Sequence, residues 1–313
     1  MLSSQGMRIF FYVFLFLFIS QSDYAQTGSD SFIQILGIAQ DGGYPHAGCM
    51  KQCCTPAWQN DSLRKYVVSF ALVDSSEKKW WLFEATPDIK FQLEYFKNLT
   101  NGRYNYLPDG IFITHAHIGH YTGLMEFGKE AMNTKEIPVY VLTRMKTFLE
   151  TNGPWSQLVK LKNIMIHQLT EDSVLFLSGK IKVETFGVPH RDEYSETTGF
   201  KISTGKKKYL FIPDIDKWQK WNRNIIDEVK SVDVALLDGT FYTGDELPER
   251  KISEVPHPLV SETMELFKNE SSNIKSKIFF IHFNHTNPLM WDNNRKIEFE
   301  NGNFRIAEQG QIF

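Results

Sequence analysis

Gly110-Ile111-Phe112-Ile113-Thr114-His115-Ala116-His117-Ile118-Gly119-His120 carries an apolar, β-branched run directly into three histidines within six residues. The run has the composition of a buried strand. His115 and His117 are two apart, so an extended segment points both rings the same way, and a turn can bring His120 back beside them. Neutral imidazole is a ligand for zinc, iron or manganese. With nine histidines in the whole chain, three at one strand end point to a metal centre.

Working outward, other strand-like runs end on chemistry of the same kind. His190 follows the run 181–188 and Pro189, Asp214 follows Tyr-Leu-Phe-Ile-Pro, and His282 ends Lys-Ile-Phe-Phe-Ile. Further strands are expected at 32–38, 66–73, 80–84, 139–142, 209–212, 232–237 and 277–283. Helical spacing predicts 87–97, with Pro87 in its first turn and Ile89, Leu93 and Phe96 on one face, and 259–268, with Val260, Met264 and Phe267. Early adjacent strands suggest hairpins. The expected architecture is an α/β domain of two mixed sheets packed face to face and flanked by helices.

No Pro/Gly/Ser-rich linker or repeat divides residues 26–313, which are read as one domain. The 44 aromatic residues (25 Phe, 12 Tyr, 7 Trp) supply a large core. A net charge of −3 and no evident Lys/Arg cluster disfavour a nucleic-acid partner and favour a small-molecule substrate. At the N-terminus, Arg8, the apolar run 9–19 and a polar stretch ending near Ala25 have the order of a signal peptide, with cleavage expected at Ala25-Gln26. Export to the periplasm or medium follows, with no stable membrane insertion after cleavage; an uncleaved anchor is the alternative.

The histidine run and its distant partners resemble the metallo-β-lactamase superfamily, whose signature is His-x-His-x-Asp-His at a strand end and whose fold is an αββα sandwich. The resemblance implies one metal on His115, His117 and His190, a second on His120 and His282, and Asp214 bridging them. Finer similarity is to the pyrroloquinoline quinone biosynthesis protein B family and its phosphodiesterase relatives. It rests on Glu-Ala-Thr-Pro-Asp-Ile at 84–89, Leu-Leu-Asp-Gly-Thr-Phe at 236–241 and His-Phe-Asn-His-Thr-Asn-Pro at 282–288.

Gly119 departs from this pattern, because the superfamily usually carries Asp there as a ligand of the second metal. Asp41, in Gln-Asp-Gly-Gly-Tyr-Pro-His, is the preferred substitute and His46 the next; an ordinary Asp-Gly turn is the competing reading for Asp41. A mononuclear site stays open. Cys49, Cys53 and Cys54 fall within six residues, and the phosphodiesterase relatives imply a closed structural zinc site completed by His285. A disulfide from Cys49 to Cys53 or Cys54 is the alternative in an exported protein. Related RNA-processing nucleases imply that Asp238 orients His257, which protonates the leaving group; a loop-rigidifying histidine between prolines is the other reading.

The expected activity is hydrolysis of a small ester, phosphodiester, lactone or lactam. One or two zinc ions, or iron or manganese, would lower the pKa of water from about 15.7 toward 7 and supply metal-bound hydroxide. Two other classes remain: an iron-dependent oxidative enzyme like the quinone-cofactor protein, and a catalytically silent metal- or ligand-binding protein.

Overall fold

The computed structural model describes residues 31–248 and 251–313, so the expected leader at 1–25 lies outside the described residues. Among the described residues no helix is long and apolar enough to cross a membrane. The strands are β1 (Ser31–Gly37), β2 (Ser69–Asp74), β3 (Lys79–Phe83), β4 (Gly110–Phe112), β5 (Ile137–Val141), β6 (Ile164–Gln168), β7 (Val174–Phe176), β8 (Lys182–Val188), β9 (Thr197–Ser203), β10 (Lys208–Ile212), β11 (Val234–Asp238), β12 (Ile278–Ile281) and β13 (Arg305–Ile306). They form a six-stranded sheet in the order β1-β2-β3-β4-β5-β6 and a seven-stranded sheet in the order β13-β12-β11-β10-β9-β8-β7.

The expected hairpins are the antiparallel β1, β2 and β3, after which β3 to β6 run parallel. Phenylalanines from the two sheets meet edge to face: Phe70 on Phe211 at 4.8 Å and Phe83 on Phe200 at 5.3 Å between centroids. Each fully buried ring of this kind contributes about 1.5–3 kcal/mol. The outer face of the first sheet buries Trp80, Leu82 and Ile111 against Leu93 and Phe96 of the helix Ile89–Leu99. On the second sheet, Val229 and Phe267 cover the strands.

Three local expectations shift. Pro87 stands before the helix, because Asp88 is its N-cap and helical geometry starts at Ile89. Residues 66–68 leave the ladder: β1 is irregular between Ile35 and Gly37, and Val67 bridges to Ala39 instead. Four strands, β6, β7, β9 and β13, were not read from the sequence. Two of these span only three and two residues, too short for alternation to register.

The site follows from strand direction. β10, β11 and β12 are mutually parallel, and β8 runs the same way because two antiparallel pairings separate it from β10. Their C-terminal ends therefore share one edge, where ligands gather in α/β sheets.

Candidate metal centre

His115 and His117 follow β4, His117 in extended backbone, and the short helix Ile118–Tyr121 turns His120 back toward them. His190 lies beyond β8, Asp214 beyond β10 and His282 beyond β12. One atom organises them. Asp214 Oδ2 lies 3.1 Å from His190 Nε2, 3.4 Å from His115 Nε2 and 3.8 Å from His117 Nδ1. It also lies 3.9 Å from His120 Nε2 and 4.0 Å from His282 Nε2.

His115, His117, His190 and Asp214 thus form one ligand group, and Asp41, His120 and His282 a second. In the first, His117 Nδ1 is 2.8 Å from His115 Nε2 and 3.3 Å from His190 Nε2. Three imidazole nitrogens converging on one point cannot all be satisfied by protons on one another. Ligand atoms about 3.3 Å apart are what tetrahedral coordination at about 2.0 Å requires. In the second group, His120 Nε2 and His282 Nε2 are buried without a hydrogen-bond partner, a costly state unless a cation takes the lone pairs. The residues present fit a metal at both positions.

The surrounding bonds set the tautomers. Thr240 Oγ1 donates to Asp238 Oδ1 at 2.7 Å, so its oxygen accepts from His282 Nδ1–H at 2.9 Å and leaves Nε2 bare. Glu84, fully buried just after β3, places Oε1 3.4 Å from His120 Nδ1. Such outer partners orient imidazole ligands and raise their basicity. Burial pushes His282 down to about 4 despite Asp214, and burial with the charge of His120 holds His115 well below the usual range. Both are therefore neutral, the ligating form. Burial opposes charging His120, but Glu84 outweighs it and raises the ring to about 9, so a metal ligated there would take the place of the Nε2 proton. Burial likewise opposes ionisation of Asp214, yet His190, His257 and His282 hold its carboxyl well below 3.8.

Asp41 answers the departure at position 119. Its Oδ1 accepts from Gly119 N at 3.1 Å and stands 3.7 Å from His120 Nε2. His46 takes a different place, its ring 4.2 Å from that of His285, and is absent from the group around His120. The acids after His190 divide: Glu193 Oε2 lies 3.4 Å from His117 Nε2, whereas Asp192 pairs with Arg144 at 3.0 Å.

His257 Nδ1 lies 3.0 Å from Asp238 Oδ2 and 3.1 Å from Asp214 Oδ1. Burial opposes its charge, but these two carboxylates overcome that and raise it to about 10. Asp238 also accepts from Thr240 N at 2.9 Å and Ile215 N at 3.2 Å. Those bonds use the lone pairs a further cation would need, so the Asp238–His257 pair reads as a proton-holding pair.

Away from this centre, Cys49, Cys53, Cys54 and His285 bring their ligand atoms within 4.8 Å of one another. The Cys49–Cys53 and Cys53–Cys54 sulfur separations are both 3.9 Å, close to the roughly 3.8 Å edge of a tetrahedron with zinc–sulfur bonds of about 2.3 Å. All three cysteines are free; at those separations the alternative disulfide is not formed. His285 Nδ1 is buried without a partner, and burial lowers the ring to about 4.

Sequence reading missed Glu84 and Thr240 as parts of this centre. A carboxylate closing an apolar strand was the available signal for Glu84, because a buried charge requires a partner.

The family model described as beta-lactamase superfamily domain matches residues 79–283. The chain is 23% identical over 296 residues to coenzyme PQQ synthesis protein B of Methylorubrum extorquens (strain PA1), spanning 89% of this chain and 98% of that protein. Zn2+-bound PqqB from Methylobacterium extorquens superposes with a TM-score of 0.74 at 19% identity, covering 90% of this chain and 99% of that one. A diphosphatase of the PhnP family gives 0.65 at 16% identity, covering 90% and 96%. These likenesses establish a shared fold.

Proposed function

The chain belongs to the beta-lactamase superfamily, and on that footing we propose that it is a metal-dependent hydrolase of small ester, phosphodiester, lactone or lactam substrates. The observation that carries this reading is the position of Asp214 Oδ2 between two imidazole groups, 3.1 Å from His190 Nε2 on one side and 4.0 Å from His282 Nε2 on the other. In this reading His115, His117, His190 and Asp214 hold one cation, and His120, His282, Asp41 and Asp214 the second. Zinc suits the imidazole-rich set; iron and manganese are accepted by the same donors. Bound divalent cations supply Lewis acidity, lowering the pKa of water and polarising the oxygen of the scissile bond.

The chain's own groups do the rest. Asp214 fixes both ligand groups in one frame, Glu84 keeps a proton on His120 Nδ1, and Thr240 keeps one on His282 Nδ1. His257, cationic beside Asp238, holds the proton that the leaving group needs. The ring lines a cleft of about 440 Å³ with Asp41, Arg191, Phe241 and Asn284, a volume suited to a small molecule.

Similarity to coenzyme PQQ synthesis protein B supports a second reading, an enzyme of a biosynthetic step; the oxidative form of that reading, with one iron, rests on the imidazole-rich donor set, which also accepts iron. Asp41 speaks against a third, a decayed and silent site, because it returns a carboxylate to the neighbourhood of His120. Export, proposed from Arg8 and the run 9–19, would place the activity outside the cytoplasm.

The test is metal content of the purified protein together with a panel of phosphodiesters, lactones, lactams and simple esters, for wild type and Asp214→Asn. Hydrolysis that disappears in the variant supports the proposal. Stoichiometric zinc with no hydrolysis across the panel overturns it, and iron with oxygen-dependent turnover selects the oxidative reading.

A further inference from the structure

At the end of the seven-stranded sheet opposite the metal ligands, folding brings the run Lys206-Lys207-Lys208 beside Lys180 and Lys182. Lys180 and Lys182 lead into β8, and Lys206, Lys207 and Lys208 lead into β10. Lys182 and Lys208 both pair in register with Ser203 of β9, which sets the two groups on either side of one strand. All five lysines are exposed and, with Phe176, line a concavity of about 390 Å³. The expectation of no Lys/Arg cluster is thereby corrected: a net charge of −3 averages over the chain and hides a one-sided patch.

Among the described residues, no carboxylate stands within ion-pair distance of Lys180, Lys182, Lys207 or Lys208. Asp233, which also lines the concavity, accepts from the backbone N–H of Lys208 at 2.8 Å. Apolar side chains border the same patch. Phe176 is 73% exposed and Val174 46%, both on one face of the edge strand β7.

We propose that this face docks the protein on an anionic lipid surface, Lys180, Lys182, Lys207 and Lys208 meeting headgroup phosphates while Phe176 enters the headgroup–acyl boundary. Strand geometry decides between this partner and a nucleic acid. Lys182 precedes His190 by eight residues, a span of roughly 26 Å along extended backbone. A polyanion held at the lysines would therefore lie away from the cleft and gain nothing as substrate. A membrane held there leaves the cleft facing water. Exposed Phe176 and Val174 also suit a boundary that excludes water better than a hydrated phosphate backbone.

Co-sedimentation with vesicles of phosphatidylglycerol and phosphatidylcholine in equal parts, against phosphatidylcholine alone, tests the proposal. Every variant keeps the same N-terminus, so any contribution of the apolar leader is common to all. The wild type should prefer the anionic vesicles, and salt should weaken the preference. Lys180→Gln, Lys182→Gln and Lys207→Gln together should lower anionic-vesicle affinity about 100-fold, at about fivefold for each lysine, with an unchanged melting temperature. Phe176→Trp should give a blue-shifted emission on anionic vesicles. Equal binding to both vesicle types, or unchanged affinity in the triple variant, overturns the proposal. So does binding of a single-stranded oligonucleotide through these lysines without binding of anionic vesicles.

Discussion

Asp41 fills the space that a side chain at position 119 would need. A Cβ built on Gly119 would fall 2.7 Å from Asp41 Cα and closer still to its Oδ1, the atom that accepts the Gly119 N–H at 3.1 Å. Glycine at 119 and aspartate at 41 are one arrangement: the carboxylate reaches His120 from the loop after β1, and the histidine segment makes room for it.

Gly119→Asp alone should therefore clash and lower occupancy at the His120–His282 position, and Asp41→Gly alone should lower it by removing the carboxylate. The double variant Asp41→Gly, Gly119→Asp removes the contact with Oδ1 but keeps the 2.7 Å approach to Cα of residue 41, so it should recover only part of the lost binding. Metal counted by elemental analysis and anomalous scattering checks this; additive losses in the double variant would mean that the two positions are not interchangeable.

Glu84 would act on a metal at the His120–His282 position through His120, whose Nδ1 lies 3.4 Å from Oε1. Glu84→Gln should keep the fold but weaken the second cation by about 10–100-fold, with the His115–His117–His190 position little changed. Titration of the chelated protein with zinc, followed by calorimetry, separates the two affinities.

If His257 delivers the leaving-group proton, His257→Ala should cost about 10²–10⁴ in rate on substrates that leave as alkoxides or amines. The loss should be far smaller on nitrophenyl esters, whose leaving group needs no proton. Equal losses on both would assign the residue to packing.

The cysteine cluster should carry its own zinc. Cys54→Ser or His285→Ala should remove about one equivalent of zinc while sparing the histidine site, and should lower thermal stability by several degrees, about 2 kcal/mol or more. Elemental analysis and a melting curve of the same sample test both halves.

Asp74 offers a pH dependence far from any metal. Burial pushes its carboxyl up, but bonds from Ser76, Ser178 and Glu77 outweigh that and lower it, with Ser178 Oγ donating to Oδ2 at 2.7 Å. A depressed folded value means stability that is present above the unfolded pKa near 3.8 and lost as pH falls through the folded one. Asp74→Asn should thus lower stability by about 2 kcal/mol at neutral pH, and the difference should shrink below pH 3.8. A constant difference across the range would contradict this.

The histidine run, the order of strand ends, the two-sheet architecture and the family resemblance were legible along the chain, because strand periodicity and a cluster of three imidazoles are local signals. His190, Asp214 and His282 were also readable, each being a chemical group placed just past an apolar run. Glu84 was not, since only its proximity to His120 gives it a role, and Thr240 looked like any hydroxyl after a strand. Asp41 could be read as ligand or turn; its contact with the glycine 78 residues away, which places the carboxylate beside His120, is visible only through space.

By itself, then, the sequence determined which segments become strands and which of them end in metal-binding groups, since both depend on neighbours within a few residues. Tertiary structure alone decided that one oxygen of Asp214 stands between two imidazole groups, that Asp41 replaces a side chain missing at 119, and that lysines from two strand entries form one face. Those outcomes depend on distances between residues far apart in order, which strand pairing and sheet packing fix and linear spacing does not encode.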